Sequence, residues 1–181
     1  MNPSPPSIGS CSPNAFVDAL TERGLLRPAQ ASDAIKQLTV GYLRLGRGFS
    51  DVRAELSRAA RSVIDEVASP GTQLELVDEQ VAADATRKLL YRTDDQQLIE
   101  TVIIPSEGGT SAGRTTLCVS SQVGCGRRCV FCETGRLGLV RQLSADEIVA
   151  QFRQANHLWQ QVRGPAPPLT NVVFMGMGEP L

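Results

Sequence analysis

Residues 115–132 read TTLCVSSQVGCGRRCVFC, a short apolar strand that runs directly into three cysteines, Cys125, Cys129 and Cys132. The spacing is C-x3-C-x2-C, and no further cysteine follows in the sequence. A structural zinc site needs four closing ligands, commonly two short pairs well separated in sequence. Three thiolates instead suit an iron–sulfur cluster with one iron left open, and an open position is where metal chemistry is done.

Outward from the cysteines, Ser144-Ala145-Asp146-Glu147 has the form of a capping box and opens a helix with Ile148, Phe152, Ala155 and Trp159 along one stripe. TNVVFMGMGEP (170–180) then reads as a buried strand ending in a glycine turn. Strand, loop, helix and strand make a βαβ unit, so the two strands are expected to be parallel and neighbours or nearly so. The cysteines would follow the carboxyl end of the first strand and GMGEP that of the second. Parallel α/β folds bind ligands at that end.

Upstream, RKLLYR (87–92) and QLIETVIIP (97–105) flank the polar TDDQQ and predict a hairpin, and EGGTSAGR (107–114) reads as a loop. Before residue 72 the period is helical. One helix is expected over about 14–23, and a second from Pro28 through Ile35, Leu38 and Tyr42. A third starts at Ser50 as N-cap and buries Val52, Leu56, Ala59, Val63, Ile64 and Val67. Residues 1–12 lack the charged-then-apolar order of a secretory signal and read as a disordered tail. The expected organisation is α/β: this tail, a helical domain over 13–71, a β-hairpin and linker over 72–110, and a βαβ unit over 111–181.

Composition narrows the function classes. The 181 residues are 41% hydrophobic and 20% charged with net charge -1, which fits a globular chain. No apolar run approaches the roughly 18 residues of a membrane span, so no membrane partner is expected. Five cysteines with three clustered indicate metal use in a reducing cytoplasm rather than a disulfide framework. Of the 18 basic residues, all but Lys36 and Lys88 are Arg. Lys36, Arg44, Arg47, Arg53, Arg58 and Arg61 stand against Asp51 and Glu55; Arg114, Arg127, Arg128, Arg136 and Arg141 stand against Glu133. Each segment is a local +4. Arg forks suit phosphate and so point to RNA, with solvated helix faces as the plain alternative.

LCVSSQVGCGRRCVFC with the following TG, then R-x-L-S-A-D-E-I-V-x-Q (141–151) and NVVFMGMGEPL, resembles the RlmN/Cfr family of radical S-adenosylmethionine RNA methyltransferases. The similarity is strong over about residues 86–181 and weaker over the helical segment 28–67. The cysteine spacing alone is shared by many radical enzymes. With CVSSQVGC before it and MGMGEPL after it, the pattern is far more specific.

The resemblance implies the start of a radical SAM partial (β/α)6 barrel, preceded by a helical accessory domain that helps to bind RNA. It implies that Cys125, Cys129 and Cys132 bind three irons of a [4Fe-4S] cluster whose fourth iron chelates S-adenosylmethionine. Phe131 would pack beside the adenosyl moiety, and Gly176, Gly178 and Glu179 would lie along the methionine part. Glu100 matches the family's proton acceptor, and Cys118 the cysteine that resolves a covalent enzyme–RNA intermediate through a transient disulfide. Without the resemblance, Glu100 reads as a solvent-facing strand residue, Cys118 as a small buried hydrophobe, Phe131 as a core residue and the glycines as a turn. His157 and Cys11 receive no role. The implied partners are large-subunit (23S) rRNA, tRNA as a second substrate, and an external electron donor, with the protein a monomer.

The sequence also departs from the family pattern. The methyl-carrying cysteine lies beyond GMGEP in family members and has no counterpart here, so the chain reads either as a fragment of a longer protein or as a truncated gene product. On its own it is expected to transfer no methyl group to RNA, and to expose an apolar edge at NVVFMG. Glu133, before TG, departs from the Ala or Ser usual in the C2-methylating branch and Leu139 resembles the C8-methylating branch, whereas Pro180 resembles the C2-methylating branch, which is favoured. A non-catalytic iron–sulfur or zinc module that binds RNA is the alternative from another class. It leaves Glu100, CVSSQVGC and Glu179 unexplained.

Overall fold

Helices fill the first part of the chain and a mixed sheet the second, as a computed structural model describes residues 6–9, 11–105, 113–164 and 168–180. The chain divides into two compact units, residues 1–72 and 73–181. The loop expected over 107–114 and the connection 163–168 lie partly outside the described residues. No helix among those described is long and apolar enough to cross a membrane.

In the first unit, α1 (Pro13–Glu22), α2 (Pro28–Leu38), α3 (Phe49–Glu55) and α4 (Arg58–Val67) pack around Phe16, Leu20, Ile35, Leu38, Val52 and Ile64. A π-helical turn, Thr39–Arg44, extends α2. It carries Gly41 against Val52, where an added Cβ would stand 2.7 Å from the valine Cγ2. Tyr42 donates its hydroxyl to the Pro70 carbonyl at 2.5 Å, tying that turn to the end of the unit.

Two expectations need correction here. The helix anticipated from Ser50 is two helices, because Leu56 is extended (ψ 156) and Ser57 caps α4 by accepting from the Ala60 N–H. Restarting the helix changes its phase: Ala60, Ile64 and Val67 are buried, whereas Ala59 is exposed. The N-terminal segment is also not a loose tail over residues 6–9 and 11–12. Ile8 is buried in the helical core, its N–H donates to the Ser69 carbonyl, and Ser12 caps α1. One apolar side chain with two backbone partners is enough to order so short a segment.

The second unit is a five-stranded sheet in the order β1-β2-β3-β4-β7. β1 (Glu75–Val81), β2 (Arg87–Arg92), β3 (Leu98–Pro105) and β4 (Thr115–Cys118) run antiparallel to their neighbours. β4 then pairs in parallel with β7 (Leu169–Val173), as the βαβ pattern requires. A separate ribbon of β5 (Gln122–Gly124) and β6 (Leu139–Gln142) flanks the cysteine loop and the short α5 (Glu133–Leu137). The crossover helix α6 (Ala145–Val162) begins at Ser144, whose capping box with Glu147 is formed. Its Ala150, Ala155 and Trp159 join Leu89, Tyr91, Ile99, Ile103 and Leu117 in one core.

β7 is not the buried strand its apolar run suggests but the open edge expected at NVVFMG. It lies at the edge of the sheet, and Val172, Phe174 and Met175 are exposed. Strand propensity put it in the sheet, while burial depends on what covers it.

Candidate functional site

Strand alternation sorts the sheet into two faces. Ile99, Thr101, Ile103 and Leu117 point to the core beneath α6, and all are fully buried. Residues of the opposite parity, Glu100, Val102 and Cys118, therefore share the other face. Val102 pairs with Cys118 across β3 and β4, so Glu100 stands two residues further along the strand. Lys88, opposite Val102 on β2, reaches Glu100 with Nζ 3.2 Å from Oε1, and both side chains remain about two-fifths exposed. Cys118 is buried. Burial pushes its thiol pKa up, offset in part by a backbone hydrogen bond from Met175.

Beyond β4 the chain is stitched to the segment that follows β7. The Gly176 N–H donates to the Val119 carbonyl, and the N–H groups of Ser121 and Gln122 donate to the Met177 carbonyl. Contact is so close that a Cβ on Gly176 would meet the Val119 backbone at 2.8 Å. Gly178 has φ +100, and a Cβ there would stand 2.5 Å from that of Gln122. Only glycine fits both positions. The Gln122 side chain brackets Glu179, accepting from its N–H and donating to its carbonyl, each at 3.1 Å. Gly176, Gly178 and Glu179 are thus fixed at the carboxyl end of β4, against residues 119–122.

The cysteine loop leaves β5 at the same end. Gly124 (φ +73) lets the Cys125 N–H reach the Gly138 carbonyl at 2.9 Å. The Cys132 N–H closes on the Cys129 carbonyl at 3.0 Å, and Gly135 of α5 packs on the Cys129 backbone. A cavity of about 470 Å³ opens beside Cys129, Arg128 and Arg136. Cys125 is buried, Cys132 half-buried and Cys129 exposed. Phe131 is 89% exposed, so it is not a core residue and its ring faces outward.

Among the described residues no three Cys, His, Asp or Glu side chains are gathered closely enough to hold a metal ion. The three cysteines share a loop without converging. Their donor chemistry nevertheless fits an iron–sulfur cluster: all three are free thiols within eight residues, on a loop anchored at both ends by β5 and α5.

Three of the four residues that hold this end together had no role in the sequence reading, and the fourth, Arg141, stood there only as a phosphate-binding cation. Ser120, Gln122 and Gln151 are buried polar residues that bridge segments, and Arg141 is an ionic hub. The fork of Arg141 spans Asp95 of the hairpin turn (2.8 and 2.7 Å) and Glu147 of the capping box (2.9 and 2.8 Å). Hydrogen bonds from Arg141 and then Thr93 hold the Asp95 carboxyl well below the usual range. For Glu147, burial pushes upward most strongly, but Arg141 and Ser144 together outweigh it and the net shift is downward. Gln151 was visible in principle, as a polar residue one turn before Ala155 in an otherwise apolar stripe.

Two of the six basic side chains of residues 36–61 are paired within the helical unit. Arg47 pairs with Glu55 and Arg53 with Asp65, both at 2.5 Å.

No protein-family model matches the chain. A dual-specificity RNA methyltransferase RlmN of Phenylobacterium zucineum is 38% identical over 99% of this chain and 46% of its own length. Another RlmN, of Alkalilimnicola ehrlichii, is 43% identical over 86% of the chain and 39% of its own length. A probable RNA methyltransferase of Sorangium cellulosum is 57% identical over 61% of the chain and 26% of its own length. The chain therefore spans less than half the length of these relatives. Among solved structures, a radical SAM methyltransferase from Sphaerobacter thermophilus superposes with a TM-score of 0.75 at 34% identity, over 97% of this chain and 48% of that one.

Proposed function

We propose that this chain, which belongs to the RlmN/Cfr family of radical S-adenosylmethionine RNA methyltransferases, supplies the cluster loop and cofactor cradle of an enzyme that methylates an adenine of RNA. One observation carries it. Glu100 and Cys118 share a sheet face, while the chain that follows Cys118 holds the Gly176–Glu179 segment and then runs through β5 into the cysteine loop.

Cys125, Cys129 and Cys132 would hold three irons of a [4Fe-4S] cluster. S-adenosylmethionine would lie along Gly176, Gly178 and Glu179, with Phe131 beside its adenosyl group. When bound, the cluster supplies the electron that cleaves S-adenosylmethionine to a radical. The glycines allow the backbone to approach the ligand, and the Glu179 carboxylate accepts from its ammonium group. Glu100, ion-paired to Lys88 and partly exposed, accepts the proton lost from the adenine ring. Cys118 would attack the sulfur of the family's methyl-carrying cysteine, which has no counterpart among these residues, so that a disulfide forms as the bond from that sulfur to the product carbon breaks and the electron pair passes to the product. Burial raises its pKa and so lowers its thiolate fraction.

The favoured target carbon is C2 of an adenosine in 23S rRNA, with tRNA as a second substrate, on the strength of Pro180. Leu139 favours the C8 alternative. An adenine in a loop or bulge suits both, because the base must leave its stack. The setting is cytoplasmic and the protein a monomer supplied by an external electron donor.

The test uses a complete protein carrying this sequence, incubated anaerobically with S-adenosylmethionine, a reductant and rRNA, followed by digestion and mass spectrometry of the nucleosides. Glu100→Gln and Cys118→Ala should each abolish 2-methyladenosine while retaining iron. Full methylation by both variants would remove the assignment, and 8-methyladenosine as the product would transfer it to the other branch.

A further inference from the structure

The polar residues buried between α6 and the end of β4 form one connected joint. The Gln151 carboxamide, fully buried, is satisfied on both sides. Its Oε1 accepts from the Ser120 N–H at 2.8 Å and from the Thr101 hydroxyl at 2.9 Å. Its Nε2 donates to the Ser120 carbonyl at 3.0 Å. Gln151 thus pairs with the Ser120 peptide as a neighbouring strand would, at the point where β4 has ended.

Held in this way, Ser120 turns its hydroxyl to two other segments. Oγ donates to the Glu100 carbonyl at 2.6 Å and accepts from the Met177 N–H at 2.9 Å. A single fully buried hydroxyl therefore joins the residue proposed as proton acceptor to the middle of the loop proposed to cradle the cofactor. Burial makes these bonds exacting, because any one left unmade strands a polar group without water.

We infer that Ser120, set in place by Gln151, is a positioning residue that locks the Glu100 strand to the Gly176–Glu179 loop, so that proton acceptor and cofactor cradle move as one body. The functional part of this inference rests on the proposed function; the mechanical part does not.

Ser120→Ala removes both Oγ bonds while leaving the Gln151 clamp on the peptide intact. Amide hydrogen exchange should quicken about five- to ten-fold at Met177, as loss of one net hydrogen bond implies. It should quicken by a similar factor at Glu179, although the acceptor of that N–H, Gln122, is untouched. S-adenosylmethionine, measured by equilibrium dialysis with this chain, should bind about five- to ten-fold more weakly. Ile103→Val, a core change in the same sheet, should lower thermal stability without either effect. Gln151→Leu should reproduce Ser120→Ala; if it does not fold, Ser120→Ala decides alone. Glu179 exchange within two-fold of wild type in Ser120→Ala would overturn the joint. Failure of the wild-type chain to bind S-adenosylmethionine would instead count against the cradle, with the exchange data still deciding the joint.

Discussion

Glu100 and Cys118 occupy one face of the sheet on adjacent antiparallel strands, offset by two residues from direct pairing, with Val102 as the true partner of Cys118. Neither side chain enters the core beneath α6, yet their surroundings differ. Glu100 meets solvent and Lys88, whereas Cys118 is enclosed. Burial raises the pKa of the Cys118 thiol and so lowers its thiolate fraction at any given pH. Alkylation by iodoacetamide, followed by peptide mass spectrometry, should be at least about ten-fold slower at Cys118 than at exposed Cys129 at pH 7.5. It should still be rising above the ordinary thiol value of about 8.5. Equal rates at neutral pH would show that Cys118 is neither enclosed nor shifted.

Anaerobic reconstitution should load about four irons per chain and give a broad visible band bleached by dithionite, as expected for a thiolate-held cluster. Replacing Cys125, Cys129 or Cys132 by Ala should abolish the band. Cys11→Ala should not, since Cys11 packs on the helical unit. Tight zinc binding without iron uptake would contradict the cluster assignment.

Arg141 is expected to govern acid sensitivity. Asp95 and Glu147 have pKa values depressed in the fold, so they bind fewer protons there than in the unfolded chain. Their contribution to stability is complete above about pH 5 and is lost as pH falls below about 4, through the unfolded values and on toward the folded ones. Arg141→Met should flatten the decline in melting temperature between pH 5 and pH 3 and lower the plateau at pH 7. An unchanged pH profile would mean that the two carboxylates titrate independently of Arg141.

Gly124→Ala should be among the most damaging single substitutions. The added Cβ would stand 1.8 Å from the Gly138 carbonyl oxygen, at a backbone angle, φ +73, that alanine seldom adopts. A loss of roughly 3 kcal/mol or more is expected, from the clash and the strain together. Gly138→Ala has no atom within 4 Å to meet but sits at φ +71, ψ 177, a region that essentially only glycine occupies, and should cost about 1–3 kcal/mol from backbone strain alone. Thermal unfolding of the two variants separates steric from conformational cost.

For RNA, the ion pairs change which substitutions are informative. Reversing Arg47 or Arg53 would set a carboxylate against Glu55 or Asp65 and disturb the unit itself. Reversing Lys36 and Arg58 should weaken RNA binding and reduce its salt slope, because each neutralised phosphate releases counterions. Affinity indifferent to salt and to both reversals would make this face a solvated surface.

Local signals were the legible part. The hairpin over 87–105, the capping box at Ser144 and the parallel pairing of TTLC with TNVV were each written in short-range pattern, and each is present. The break at Leu56–Ser57 was hidden because Leu56 suits the apolar stripe on either side of it. Exposure of β7 was not written in NVVF itself, which specifies a strand and does not say whether a layer covers it; the open edge expected at NVVFMG came from the resemblance. Ser120 and Gln151 were quoted in the motifs, but a hydroxyl shared between Glu100 and Met177 joins residues 77 positions apart, and periodicity carries no record of such contacts.

The parallel pairing of β4 with β7 bears on the order in which the chain acquires its structure. The β2–β3 hairpin closes over a five-residue turn, whereas Thr115 must find Leu169 across more than fifty intervening residues and a completed helix. Contacts of such long sequence separation are the slow ones in folding, since their closure entropy is met before their packing is gained. Gly176–Glu179 rides directly behind β7, so the segment proposed to cradle the cofactor should be the last part of this sheet to dock during synthesis. A chain stalled before that step would leave Cys118 without its β7 partner Val173, which makes late docking of β7 the interval in which this otherwise buried thiol is most open to oxidation.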